Sequence, residues 1–439
     1  MTSRNDVIAA ARGYFESNHK PKKFVPGETY LPPSGKVVNA DDLAMLIESS
    51  LDLWLTAGRF ARDLEAHLAA FLGVRAALLV NSSSSANLLA FSALTSPALK
   101  ERRIVAGDEV ITVTAGFPTT VNPCIIYGCV PVFVDIDLET HNIDLSQLEA
   151  ALSPKTKAVM IAHTLGNPFN VLAVQEFCKK HNLWFVEDNC DALGAKFNGQ
   201  LTGTFGDIAT ESFYPAHHMT MGEGGAVFTN SLRLKTLLLR FRDWGRDCYC
   251  EPGVDNTCGR RFDWDFKNLP KGFDHKYVYS EIGYNLKITD IQAAIGLSQL
   301  KKLPRFIDAR IKNHALLSKK LEHLRDRMIL PKATPNSDPS WFGFTITLKP
   351  ESKVLRSDFQ QFLENNKVGT RLVFGGNLLK QPAYEGISRR VIGDLPHTDR
   401  VLHDREFILN LVKTSFLTSR IQLNLDSIPV GRSNEANNH

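Results

Sequence analysis

The sequence predicts an α/β protein, with a mostly parallel central sheet carrying helices on both faces and a smaller C-terminal α+β unit after it. Three observations lead there. Short apolar runs rich in β-branched residues recur through the first two-thirds of the chain, each bounded by turn residues. Helical patterns lie between several of these runs, as strands buried on both faces of a parallel sheet require. From Asp290 onward the pattern changes to longer helices. At 439 residues the chain can hold a large α/β domain and a smaller companion.

Residues 1–40 read as an amphipathic helix (Val7–Phe15) and a Pro/Gly-rich extended stretch through Ser34, Gly35 and Lys36. Residues 41–290 read as the large domain. Its expected strands are AALLV (Ala76–Val80), EVITV (Glu109–Val113), VPVFVDID (Val130–Asp137), AVMIAH (Ala158–His163), LWFVED (Leu183–Asp188) and GAVFTN (Gly225–Asn230). Helices are expected at Leu145–Leu152 and Val171–His181. Residues 291–439 read as the smaller domain, opening with helices at Ile291–Leu300 and Phe306–Leu324 and ending in a tail, SNEANNH, too polar to pack. There are no internal repeats.

A net charge of +4, spread along the chain, gives no footprint for nucleic acid. The one basic cluster, HKPKKF (His19–Phe24), suits a solvated face better than an anion site. No apolar run approaches the roughly 18–20 residues that span a bilayer, and the first residues lack the charged-then-apolar profile of a signal peptide. The expected compartment is the cytoplasm, where cysteines stay reduced and open to metal or redox chemistry.

In open α/β sheets, ligands collect at the carboxyl ends of the strands. Three features fall there. NSSSSAN (Asn81–Asn87) follows a strand and opens a helix, so free N–H groups and the helix dipole suit a phosphate; a plain serine cap would look the same. Glu187-Asp188 ends LWFVED, where a carboxylate can pair with a pyridinium nitrogen. The third, SFYPAHHMTMGEGGAVFTN (Ser212–Asn230), is laid out like a loop bearing a Schiff-base lysine, yet has no lysine; His217 and His218 stand there instead.

Three of the seven cysteines crowd into CYCEPGVDNTC, a stretch of turn residues where a packed structural thiol would be unusual. By spacing alone, Cys248, Cys250 and Cys258 fit a zinc site, an iron–sulfur site or redox-sensitive thiols equally well. Cys190, just past Asp188 at the ligand end of the sheet, is the expected fourth donor. Cys124, Cys129 and Cys178 have apolar neighbours and read as packing.

The order of phosphate loop, EDNCDALGAKFNG, SFYPAHHMTMGEGGAVFTN and GYNLKITDIQAAIGLSQL (Gly283–Leu300) resembles the DegT/DnrJ/EryC1/StrS family from about Pro32 to the C-terminus. That resemblance implies the fold of fold-type I pyridoxal-phosphate-dependent aminotransferases. It also implies a nucleotide-linked keto-sugar as substrate. The family's lysine is replaced at His217, as in the 3-dehydrases of deoxysugar synthesis, which implies pyridoxamine phosphate held non-covalently and His217 as the base. Cys190, Cys248, Cys250 and Cys258 match the Cys-x57-Cys-x-Cys-x7-Cys pattern of the iron–sulfur members, which implies a [2Fe-2S] cluster. The resemblance further implies a CDP-linked 4-keto-6-deoxyhexose, an NADH-dependent flavin/iron–sulfur reductase as electron donor, and a homodimer. Residue by residue, it places Asp188 at the pyridinium nitrogen, Ser83, Ser84 and Ser212 at the phosphate, and Phe117 on the ring. Asn285 is placed at the phosphate across the dimer interface. Asp191, Tyr214 and Phe342 fall where dehydrase and aminotransferase sites differ, and His218 is the alternative base. Ser83-Ser84 departs from the commoner Gly-Thr. No Gly-x-Gly-x-x-Gly follows a strand, so electrons from NADH have to come from outside.

Two rival readings stand beside this one. A cluster-free dehydrase of GDP-keto-sugars would carry the histidine without the cysteine set. A degenerate aminotransferase fold serving as a binding or regulatory protein would have no need of Asp188 or the phosphate loop.

Overall fold

A computed structural model describes residues 2–403 and 406–410, apart from 21, 22, 26, 33, 251, 252 and 255. Part of the HKPKKF cluster and the whole SNEANNH tail lie outside the described residues. None of the described helices is long and apolar enough to cross a membrane.

Helix α1 (Arg4–Asn18) is opened by a capping box between Ser3 and Asp6, and α2 (Ala40–Ser50) by one between Asn39 and Asp42. Between them the extended stretch exchanges backbone bonds through Leu31 with Lys367 and Gly369. Helix α3 (Arg59–Leu72) starts at Gly58, which has no side chain to cap with. The buried Asp290 carboxylate serves instead, accepting from the N–H groups of Gly58 (2.9 Å) and Ala61 (2.8 Å).

The expected strands all form: β1 (Ala76–Val80), β2 (Glu109–Val113), β3 (Val130–Val134), β4 (Thr156–Ala162) and β5 (Trp184–Asp188). A short hairpin, β6 (Lys196–Phe197) and β7 (Gln200–Leu201), precedes β8 (Ile208–Ser212) and β9 (Gly225–Thr229). The helices between and after them are α4 (Ser83–Leu94), α5 (Pro118–Ile126), α6 (Leu148–Ala151), α7 (Val171–Lys180) and α8 (Leu232–Arg242). The sequence pattern suggested one helix over Leu145–Leu152. Its first turn is instead a 3-10 turn, because the Asp144 carboxylate takes both the N–H and hydroxyl of Ser146.

The rest of the chain forms α9 (Asp290–Leu300), α10 (Leu303–Leu321), β10 (Met328–Ile329), β11 (Ser337–Asp338) and β12 (Gly343–Leu348). After these come α11 (Arg356–Asn365), β13 (Thr370–Arg371), β14 (Arg390–Val391), α12 (Pro396–Leu402) and β15 (Glu406–Asn410). A four-stranded sheet runs β10-β12-β15-β13, and a small one runs β11-β6-β7.

The large sheet has the order β1-β9-β8-β5-β4-β2-β3-β14. β9 is antiparallel to both neighbours, and the other registers are parallel. Successive side chains point to opposite faces. Leu79 and Phe228 therefore meet α3 and α9 through Leu64, Leu68 and Ala293, while Leu78 and Val227 meet α4 and α8 through Phe91, Leu237 and Phe241. Burial of each such large side chain contributes about 1.5–3 kcal/mol. The parallel strands all end at one edge, and the loops leaving that edge make the site.

Candidate active site

A pocket of about 600 Å³ opens at the carboxyl ends of the strands. Each loop enters it for a local reason. β1 runs through Asn81 into α4, whose N-cap Ser82 accepts from the Ser85 N–H at 3.1 Å. That leaves Ser83 and Ser84, the first helical residues, facing the pocket. β2 leads to Phe117, the N-cap of α5; its ring lines the pocket and meets Phe374 edge-on at 6.1 Å.

β5 delivers Asp188. Its Oδ2 accepts from Asn87 Nδ2 (2.8 Å) and Thr120 Oγ1 (2.6 Å), and its Oδ1 from the Cys190 N–H (3.2 Å). Three donors hold a buried carboxylate that still faces the cavity. Glu187 points the other way, stapling the turn before β8 through the N–H groups of Gly203, Phe205 and Gly206 and pairing with His163 at 3.0 Å.

The loop after β8 supplies Tyr214 and His217. His217 Nδ1 lies 3.4 Å from Asp191 Oδ1, and its ring is 4.9 Å from that of Phe342. Burial, then the neighbouring Asp188 carboxylate, pushes Asp191 up to about 7. Gly166 brings Phe342 in: its φ of +85° and a would-be Cβ 2.1 Å from Ser340 O admit no side chain. The backbone can then pair Ser340 N with Gly166 O and Phe342 N with Leu165 O.

Of the residues expected from the sequence, Ser83, Ser84, Phe117, Asp188, Cys190, Asp191, Tyr214, His217 and Phe342 all line this one pocket. Three do not. Ser212 is buried at the end of β8. His218 is buried behind the loop, with Nε2 donating to Ser340 O at 2.7 Å, so it faces away from the cavity. Asn285 is exposed, bridged to Asp243 outside the pocket.

The cysteines divide. The Cys190 thiol lines the active-site pocket, where burial and then Asp188 raise it well above its ordinary value. Cys248 and Cys250 line a different cavity of about 590 Å³ with Trp54, Arg59 and Lys287. Burial pushes Cys250 up, but hydrogen bonds with Thr257, Cys258 and Cys248 outweigh it and bring the thiol down to about 7. Among the described residues, Cys190 is not part of the group that Cys248, Cys250 and His275 form. Cys258 is not part of that group either, so the four expected cysteines are not gathered into one donor set among the described residues. Cys124, Cys129 and Cys178 are buried, as their apolar neighbours suggested.

Sequence reasoning missed several participants. Asn87 and Thr120 hold Asp188. Arg310, on α10 and 1% exposed, donates to the carbonyls of Trp341 (3.0 Å), Phe342 (2.9 Å), Ala216 (3.0 Å) and His217 (3.3 Å). Burial lowers its guanidinium to about 10. Glu223, Arg371 and Phe374 add to the lining. The sequence signal for Asn87 was its place one helical turn past the phosphate loop; Arg310, inside an amphipathic helix, carried none.

The profile of the DegT/DnrJ/EryC1/StrS aminotransferase family matches residues 37–414. The chain belongs to this family. It is 55% identical over 405 residues to the lipopolysaccharide biosynthesis protein RfbH of Salmonella typhimurium, covering 92% of this chain and 93% of that one. It is 51% identical over 405 residues to dTDP-4-dehydro-2,6-dideoxy-D-glucose 3-dehydratase of Saccharopolyspora spinosa, covering 92% and 87%. Among solved structures it is similar to an Escherichia coli GDP-4-keto-6-deoxy-D-mannose-3-dehydratase with bound hydrated PLP, with a TM-score of 0.78 and 28% identity over 87% of this chain and 96% of that one. Membership makes the chain an enzyme of the pyridoxal- or pyridoxamine-phosphate class, and the pocket fits such a cofactor. A helix N-terminus suits its phosphate, the Asp188 carboxylate suits its ring nitrogen, and Phe117 offers an aromatic face. No lysine is among the described residues that line it.

Proposed function

We propose that the chain catalyses pyridoxamine-phosphate-dependent dehydration at C3 of a nucleotide-linked 4-keto-6-deoxyhexose. The observation that carries this reading is His217, set with Asp191 in a pocket that has no lysine along its lining. The 3-dehydratases among the similar proteins support it. The cofactor, when bound, supplies an amine that condenses with a keto group and a ring that accepts electrons.

The chain's own residues do the rest. Ser83 and Ser84 at the start of α4 hold the phosphate, and Asp188, fixed by Asn87 and Thr120, keeps the ring nitrogen protonated. His217 faces Asp191 through Nδ1, so proton transfer into the pocket is assigned to Nε2. Phe342 and Tyr214 wall the His217 side of the pocket. Without an amine to attach the cofactor, transamination through the chain is closed and elimination of the C3 hydroxyl is left.

As to substrate and electrons, the reading takes the CDP-linked sugar and the 3,6-dideoxy-4-keto product. A [2Fe-2S] centre, if the Cys248–Cys258 loop holds one, would accept electrons singly from an NADH-dependent flavin/iron–sulfur reductase. A homodimer would bring Asn285 to the partner's phosphate site. The separation of Cys190 from the loop favours a second reading, a cluster-free dehydrase that ends at elimination. The test of the shared step is His217→Asn. The variant should bind pyridoxamine phosphate yet lose exchange of its C4′ hydrogen with solvent by about 10²–10⁴-fold. Exchange at the wild-type rate, with loss in His218→Asn instead, would overturn the assignment.

A further inference from the structure

β8 is fully buried, yet Thr210, Glu211 and Ser212 make most of it polar. Buried polar side chains are costly unless paired, and the pairs of Thr210 and Glu211 lead to one place, the turn that follows Asp188. Successive side chains of a strand point to opposite faces, so the two residues reach that turn from two sides.

On one face, Thr210 Oγ1 donates to Asn87 Oδ1 at 2.6 Å, and Asn87 Nδ2 donates on to Asp188 Oδ2 at 2.8 Å. All three residues are buried. An ionised carboxylate only accepts, so the amide has to turn its donor end to Asp188 and its oxygen to Thr210. Without the hydroxyl, that oxygen would have no donor among the described residues.

On the other face, Glu211 shares its side of β8 with Ala209 and Phe213, which pack in the apolar cluster of α3 and α9. Its Oε1 accepts from the Ser212 N–H (3.0 Å) and its Oε2 from Asn189 Nδ2 (2.8 Å). Burial raises the Glu211 carboxyl well above the usual carboxylate range, against the pull of these two hydrogen bonds. The Asn189 side chain also faces Gly203, where an added Cβ would come within 3.3 Å of it. Its backbone closes the turn, donating to Thr210 O (3.0 Å) and accepting from the Ala192 N–H (2.8 Å).

We propose that Thr210 and Glu211 are positioning residues for Asp188: Thr210 orients the carboxylate through the Asn87 amide, and Glu211 fixes the turn behind it through the Asn189 amide. The inference rests on the reading above that Asp188 meets the ring nitrogen of the cofactor. Neither Thr210 nor Glu211 lines the pocket, so each acts through its asparagine.

The test loads full-length wild type, Thr210→Val, Thr210→Ser, Glu211→Leu, Glu211→Gln, Asn87→Ala and Asp188→Asn with pyridoxamine phosphate isotope-labelled at its ring nitrogen. Nuclear magnetic resonance follows protonation of that nitrogen against pH, and equilibrium binding gives the affinity, both per folded chain with no sugar present. Thr210→Val and Glu211→Leu should each weaken binding about tenfold. Each should also lower the pH at which the ring nitrogen loses its proton by about one, because a misplaced carboxylate favours the pyridinium less. Thr210→Ser and Glu211→Gln should recover most of both. In the Asn87→Ala background, Thr210→Val should add less than about twofold, as two residues acting as one unit require. A full effect of Thr210→Val in that background overturns the inference. So does a lower urea midpoint with affinity and titration at wild-type values, which would make both residues purely structural. Asp188→Asn separates the inference from the reading beneath it. If that variant leaves the titration unchanged, Asp188 does not meet the ring nitrogen and both fall. If it lowers the titration while Thr210→Val and Glu211→Leu do not, the inference alone is overturned.

Discussion

At the residue scale, the geometry of His217 depends on a side chain that is not among the described residues lining the pocket. Arg310 ties the carbonyls of Ala216 and His217 to those of Trp341 and Phe342, so His217 and Phe342 are held as one piece. A planar fork can serve four acceptors where an ammonium cannot. Arg310→Met should therefore destabilise the protein by about 3 kcal/mol and slow C4′ exchange at least tenfold per folded, loaded chain. Arg310→Lys should recover part of the stability and less of the rate. Equal recovery of both would reduce Arg310 to a structural role. His314, four positions on, stacks on Trp341 at 3.7 Å, and burial pulls its imidazole down to about 3. Below about pH 6.5 the unfolded chain takes up a proton there that the folded chain refuses, so stability falls with pH. From pH 6.5 to 5 that is about 2 kcal/mol. His314→Phe should flatten this part of the urea-midpoint profile; an unchanged slope would place the titration elsewhere. Asp188 and the pair His217-His218 were legible because chemistry demands their residue types at the ends of strands, whereas Asp191 came only through the family resemblance. Arg310 was not legible, since a charged residue in an amphipathic helix reads as a solvated one until a tertiary neighbour covers it.

At the element scale, β1 to β5 and β9 were legible because each is a short apolar run between turn residues, whereas β8, IATES, was not, since three of its five residues are polar. β6, β7 and β14 were not, since two residues have no periodicity to detect. The start of α3 shows another limit. Gly58 offers no cap, and the missing acceptor arrives from Asp290, 232 positions away. Asp290 also opens α9, so a single carboxylate fixes the meeting of the two helices that cover one face of the sheet. Asp290→Ala should cost about 2 kcal/mol, the upper end of the range for a lost cap, because the orphaned N–H groups are shielded from water. Asp290→Asn should recover about half, and denaturant unfolding followed by circular dichroism would measure both. A loss below about 0.5 kcal/mol would mean that water replaces the carboxylate.

At the scale of the whole molecule, the chain sets its His217–carboxylate group and its Cys248–Cys250 pair in two different cavities. The pocket holding His217, Asp188 and Asp191 is built from the carboxyl ends of the sheet, with Phe342 and Arg371 added from the C-terminal third. The cysteine loop borders a separate cavity against α3 and Lys287. Cys250 therefore stands outside the machinery that moves a proton at His217. Cys250→Ala should abolish or strongly weaken metal binding on the loop and leave pyridoxamine-phosphate binding and C4′ hydrogen exchange within about twofold of wild type. Formation of a 3-deoxy product from NADH and a reductase should be lost in the same variant. Thiolate ligation also contributes to local folding, so exchange has to be scored per folded, cofactor-loaded chain. A variant that is folded and loaded but no longer exchanges would show that the loop shapes the catalytic pocket after all. A metal-free variant that still makes deoxygenated product at the wild-type rate would remove the loop from electron delivery. Exchange kept is the outcome that the separation of the two cavities predicts, and reduction lost is the one that the proposed electron delivery adds.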